Sequence, residues 1–122
     1  MAIIACGVMV VQALAAAEEL AREGVEATVV NMSTIKPLDA ELVVRVARQC
    51  GAVVTAEEHS VIGGLGAAVA AVLGEEYPVP LRRVGIRDRF GQSGRPEELM
   101  AEYGLTAATV MRAAREVLRR KG

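Results

Sequence analysis

Ile3-Ile4-Ala5-Cys6-Gly7, then Ala13-Leu14-Ala15-Ala16-Ala17-Glu18-Glu19-Leu20-Ala21-Arg22-Glu23-Gly24, then Ala27-Thr28-Val29-Val30-Asn31-Met32 read as strand, helix, strand. Residues 3–6 form a short apolar run that stops at Gly7. From Val10 the apolar residues recur as Val10, Ala13, Leu14, Ala17, Leu20 and Ala21, which predicts one stripe of an amphipathic helix. Gln12, Glu18, Glu19, Arg22 and Glu23 take the opposite side, and Gly24 suits the left-handed position just past a helix end. Residues 27–32 are then a second strand, centred on Thr28, Val29 and Val30.

The alternation continues. Asp39 is placed to cap the next helix, with Leu38 and Val43 spaced as a hydrophobic staple across that cap. This helix is expected to end near Gln49 and to show Glu41 and Arg45 to solvent as an i,i+4 pair. Residues 52–57 are a third strand, and Gly63-Gly64-Leu65-Gly66 opens an alanine-rich helix expected to run to about Leu73. Pro78 and Pro80 interrupt the chain before a fourth strand over residues 81–86. Pro96, Glu97 and Glu98 suit the first turn of a short helix. Thr106 can cap a last helix whose inner stripe is Val110, Met111, Ala114, Val117 and Leu118.

The first three strands are apolar on both faces, as interior strands of a parallel sheet are. The fourth carries Arg82 and Arg83 and reads as less buried. Strands alternating with helices give a three-layer α/β/α sandwich, with residues 1–122 forming one doubly wound domain.

Composition narrows the function classes. Hydrophobic residues make up 52% of the 122 and charged residues 24%, which excludes a disordered tail. A net charge of -1 argues against nucleic acid as a partner, and Tyr77, Phe90 and Tyr103 are the only aromatics, too few for a base-stacking platform. No apolar run reaches the length of a membrane span, and no secretory leader pattern opens the chain. Cys6 and Cys50 match no metal or redox spacing and read as small reduced core residues, so a cytoplasmic setting is expected.

In an open α/β sheet, ligands and partners meet the carboxyl ends of the strands. That rim gathers Cys6-Gly7, the segment from Asn31 to Thr34, Glu57-Glu58-His59-Ser60 and Arg87-Asp88-Arg89. The glycine turn has two readings. Free backbone N–H groups at the start of a helix can hold a phosphate. However, Gly64-Leu65-Gly66-Ala67-Ala68-Val69 has valine where the dinucleotide fingerprint needs its third glycine, and no Walker-type lysine follows. A tight turn that lets the helix pack close to the sheet is the favoured reading. His59 is the only histidine. With Glu57 and Glu58 it can make an acid–base pair, or it can serve hydrogen bonding at an interface, which is favoured for a lone histidine at a strand end. The dense arginines Arg82, Arg83, Arg87, Arg89 and Arg95 fit either a sugar-phosphate site or ion pairing with acidic surface on another domain or chain.

Four stretches in order carry a family resemblance. Val54-Thr55-Ala56-Glu57-Glu58-His59-Ser60-Val61-Ile62-Gly63-Gly64-Leu65-Gly66 resembles the signature of transketolase C-terminal domains. So do Asn31-Met32-Ser33-Thr34-Ile35-Lys36-Pro37-Leu38-Asp39 and Asp88-Arg89-Phe90-Gly91-Gln92-Ser93-Gly94. The last stretch is Pro96-Glu97-Glu98-Leu99 with Tyr103-Gly104-Leu105-Thr106. Together they span essentially the whole chain, and the wording around Asp88 looks closest to the split transketolases of prokaryotes.

The resemblance implies a mostly parallel five-stranded sheet with one antiparallel strand. It implies a part in moving a two-carbon ketol unit between sugar phosphates, as in the pentose phosphate pathway. In the complete enzyme thiamine diphosphate and a divalent metal sit between a diphosphate-binding and a pyrimidine-binding domain. This domain is expected to bind neither, to supply no catalytic residue, and to be inactive alone. Its role is assembly, as part of a homo-oligomer, with Glu57, Glu58, His59, Ser60, Gly63, Gly64, Asp88 and Arg89 as interface candidates. Split C-terminal subunits usually carry the pyrimidine-binding domain as well, so the length implies a truncated piece or a separate small chain. The alternatives are a stand-alone interaction module, the matching domain of a deoxyxylulose-phosphate synthase, and a small nucleotide-binding domain, which the broken fingerprint disfavours.

Overall fold

The computed structural model describes residues 1–32, 38–60, 64–86 and 106–121. The elements run β1 (Ala2–Ala5), α1 (Met9–Arg22), β2 (Thr28–Asn31), α2 (Ala40–Cys50), β3 (Val53–Ser60), α3 (Leu65–Glu76), β4 (Leu81–Ile86) and α4 (Ala107–Lys121). Among the described residues the sheet has four strands in the order β2-β1-β3-β4, all pairings parallel. The three-layer α/β/α reading holds. The antiparallel fifth strand implied by the resemblance, and the helix expected from Pro96, lie outside the described residues.

Strand alternation sorts the core into two layers. Ile3 and Ala5 of β1, with Val54 and Ala56 of β3, pack under α1 and α4 against Met9, Ala13, Leu20, Val110 and Val117. Ala2, Ile4 and Val53 face the other way, toward α2 and α3, and meet Val43, Val46, Leu65, Val69 and Leu73. The central strands bury both faces, which is why their sequences read as unbroken apolar runs. At the edge, Arg82 is exposed on β4 and pairs with Glu116 of α4 at 3.4 Å.

Helix ends follow their sequence signals. Asp39 Oδ1 accepts a hydrogen bond from Leu42 N at 3.1 Å, and Leu38 and Val43 share one core layer. Gly24, at φ +83, ends α1 with its N–H on Ala21 O, while Val25 N donates to Leu20 O. Thr106 Oγ1 accepts from Thr109 N at 3.4 Å, and Gln12 Oε1 of α1 adds a 2.9 Å bond from Ala107 N. α2 ends at Cys50 and α3 runs on to Glu76, both longer than the periodicity predicts.

One helix is rotated relative to expectation. The buried stripe of α1 is Met9, Ala13, Ala16 and Leu20, whereas Leu14 is 55% exposed and Ala21 also faces solvent. Nearly every residue from Met9 to Ala17 is apolar, so the stripe alone does not fix the rotation. Alanines at 13 and 16 let the helix approach the sheet more closely than leucine would. The expected Glu41–Arg45 pair is not among the ion pairs of the described residues.

Candidate functional site

The chain path selects one crevice. From β1 the chain winds over one face of the sheet to β2, then returns over the other face past β1 to β3. The carboxyl ends of β1 and β3 therefore flank the topological switch point, where open α/β sheets bind their ligands and partners. Cys6 and Gly7 stand on one side, and Glu57 and Glu58 on the other. The rim is irregular on the β3 side. Ala56 pairs with Val84 and Ser60 with Ile86, so Glu57, Glu58 and His59 oppose Gly85 alone. Such a bulge re-aims side chains at the end of a strand.

Glu57 is fully buried. Its Oε1 accepts from Leu65 N at 2.8 Å and its Oε2 from Gly66 N at 2.7 Å, both at the first turn of α3. The cap residue Gly64 has no side chain to satisfy these amides, so β3 supplies the acceptor from a neighbouring strand. Two short bonds to N–H groups at the positive end of a helix offset the desolvation of a buried carboxylate. Two of the amides that a phosphate cradle would offer, those of Leu65 and Gly66, are therefore already held by Glu57.

Gly66 shows what the turn is for. A β-carbon there would stand 2.9 Å from Thr55 Oγ1 and 2.9 Å from both Cγ and Cδ of Arg83. The helix thus sits on the sheet at a distance only glycine permits, as the tight-turn reading expects. Thr55 Oγ1 is buried beside it with no hydrogen-bond partner among the described residues. Arg83 lays its stem across Gly66, so this part of the arginine-dense segment packs within the domain.

The other rim residues divide as follows. Glu57, an interface and acid–base candidate from the sequence, lies in the interior with both oxygens engaged, and this corrects its placement on the surface. Glu58 is half-buried and leans over Gly7, where a β-carbon would meet its Oε1 at 2.8 Å. Gly7 adopts φ +60, which a side chain would strain. His59 and Ser60 belong to the backbone of β3, and their side chains lie outside the description. Gly64 caps α3 in an extended conformation. Gly63, Asp88, Arg89 and the segment from Ser33 to Thr34 lie outside the described residues. Burial pushes the Cys6 thiol up from its ordinary value, and the nearby Glu57 and Glu58 carboxylates add to the effect, so Cys6 stays a neutral core residue.

The feature that the sequence reading missed is a strip on α1. Val8, Val11 and Leu14 recur every three residues and are 47%, 68% and 55% exposed. They begin next to Gly7 and continue the rim onto the helix surface. The signal was present as a surplus, since α1 has more apolar residues than one buried stripe requires.

Residues 1–110 match the profile of the transketolase C-terminal domain. The chain belongs to the transketolase C-terminal domain family. It is 58% identical over 119 residues to the 6-deoxy-6-sulfo-D-fructose transketolase subunit SqwH of Clostridium sp. (strain MSTE9), covering 98% of this chain and 37% of that one. It is 43% identical over 123 residues to 1-deoxy-D-xylulose-5-phosphate synthase 1 of Geobacter sulfurreducens, covering 99% of this chain and 19% of that enzyme. A solved split-gene transketolase, described as an inactive beta4 tetramer, superposes with a TM-score of 0.94 at 55% identity, covering 99% of this chain and 40% of that one. This member of the family thus spans well under half the length of each of these relatives. Among the described residues of the domain, no group of three or more histidine, cysteine or acidic side chains is placed to hold a metal, and no helix is long and apolar enough to cross a membrane.

Proposed function

We propose that this chain serves as the C-terminal domain of a split-type transketolase, and that it acts by docking rather than by chemistry of its own. The observation that carries the reading is the rim at the switch point. Its buried carboxylate is spent on holding α3, while beside it α1 presents Val8, Val11 and Leu14 to solvent. An apolar strip next to a rigid rim suits contact with another protein surface. The partners are the diphosphate-binding and pyrimidine-binding domains of the enzyme, in a homo-oligomeric assembly and a cytoplasmic setting. Thiamine diphosphate and its divalent metal, held by those domains, would supply the ketol-transfer chemistry. This chain's residues orient and cover.

Identity of 58% to a transketolase subunit, against 43% to a deoxyxylulose-phosphate synthase, favours transketolase over the second reading. The relative's name points to a sulfosugar, whereas the family resemblance implies sugar phosphates, and donor assays with both classes separate them. The docking test uses the enzyme reconstituted with its remaining domains. Leu14→Asp should weaken association by about tenfold or more while turnover of the saturated assembly stays within about threefold of the parent. Unchanged association would overturn docking through α1. A large loss of turnover in a fully assembled variant would give the rim a catalytic part.

A further inference from the structure

The outer face of α2 carries charges that enter no ion pair among the described residues. Glu41, Val44, Arg45 and Arg48 line one side of a groove of about 640 Å³, and Glu76 at the end of α3 closes it. Glu41, Arg45 and Glu76 make no ion pair among the described residues. The Arg48 guanidinium lies 5.5 Å from the centre of the Tyr77 ring and likewise meets no carboxylate. Tyr77 is itself 36% exposed, and Val44 is half-buried in the middle of the stripe.

The order of these charges is self-complementary. Glu41 and Arg48 are seven residues apart in the sequence, almost two full helical turns, so they share one face with Val44 and Arg45 between them. Two α2 helices running antiparallel about a twofold axis at Val44 and Arg45 set Glu41 of each against Arg48 of the other. The same operation sets the small Ala40 against Gln49, and Val44 of each copy against the aliphatic stem of Arg45 of the other. No other arrangement of the stripe against itself neutralises both ends. A parallel pair stacks glutamate on glutamate and arginine on arginine.

We propose that α2 is the seam of a symmetric dimer formed with a second copy of this chain, in which Glu41 of each copy pairs with Arg48 of the other. An isologous contact of this kind requires a residue pattern that maps onto itself, and the stripe supplies it. The apolar share of the contact comes from Val44, Ala40 and Tyr77. The charges select the antiparallel register and make the association sensitive to salt. This surface lies on the α2–α3 side of the sheet, opposite the layer that contains α1, so it is separate from the docking strip and does not depend on it.

Sedimentation equilibrium on the full chain, at low salt and over a wide concentration range, tests the seam. The parent should show a monomer–dimer equilibrium. Glu41→Arg and Arg48→Glu should each weaken it by at least about tenfold, because each places like charges opposite one another. An equimolar mixture of the two variants should recover association as a heterodimer, since both mixed contacts are then attractive. The double variant carrying both changes should recover it as a homodimer, and urea midpoints close to the parent's would show that all of these chains are folded. A parent that stays monomeric, single variants that associate like the parent, or a mixture no tighter than its components would each overturn the proposal.

Discussion

Glu57 of β3 and Gly66 of α3, nine positions apart in sequence, are joined by a buried 2.7 Å hydrogen bond from the Gly66 amide to Oε2. The partner oxygen, Oε1, takes the Leu65 amide at 2.8 Å. One carboxylate thus ties the end of a central strand to the start of the next helix, and does so where no water competes.

Glu57→Gln should therefore be costly although it keeps the shape. The amide group can accept only one of the two N–H bonds, and its NH2 then faces a backbone donor in a buried site. We expect a loss of about 2–3 kcal/mol in stability, read from urea midpoints. A midpoint equal to the parent's would mean that the carboxylate is not the cap described here.

The contact between Gly66 and Thr55 makes a pair of opposed predictions. Gly66→Ala puts a methyl 2.9 Å from Thr55 Oγ1 and from the Arg83 stem, and should destabilise by about 1–3 kcal/mol. Thr55→Val removes a buried hydroxyl that has no partner among the described residues while keeping its outline, and should be neutral or stabilising by about 1 kcal/mol. Thermal or urea unfolding of the two variants checks both. Destabilisation by Thr55→Val would show that the hydroxyl does find a partner.

How far the sequence discloses this site depends on the reach of each interaction. Asp39 was legible as a cap because its partner, Leu42, is three residues away. The strand–helix alternation was legible because period and punctuation are local properties. Glu57 was not legible as a cap. Its partners lie across a turn, and an acidic residue at a strand end resembles a surface group until the bulge at residues 57–59 turns it inward. The rotation of α1 was lost for the opposite reason. Its apolar residues exceed one stripe, and the choice between Leu14 and Ala16 for the core was made by close packing against β1 and β3.

Cys6 supplies a prediction in pH. Its thiol is 8% exposed and lies near Glu57 and Glu58, and burial followed by those carboxylates raises it above the reference value of 9.0. In the unfolded chain the same thiol ionises at the ordinary value, so between the two values the folded state holds more protons than the unfolded one. The stabilisation linked to Cys6 is complete below the unfolded value and is lost as pH rises through the folded one. Urea midpoints measured between about pH 8 and about pH 10 should fall for the parent, and Cys6→Ala should flatten that decline even though it loses some packing. Alkylation adds an independent readout. At about pH 8 the half-buried Cys50 should react well before Cys6, because the attacking species is the thiolate and Cys6 holds its proton. Equal labelling rates in the folded protein, together with identical pH slopes for parent and variant, would place Cys6 at an open, ionisable position on the rim instead of in the core.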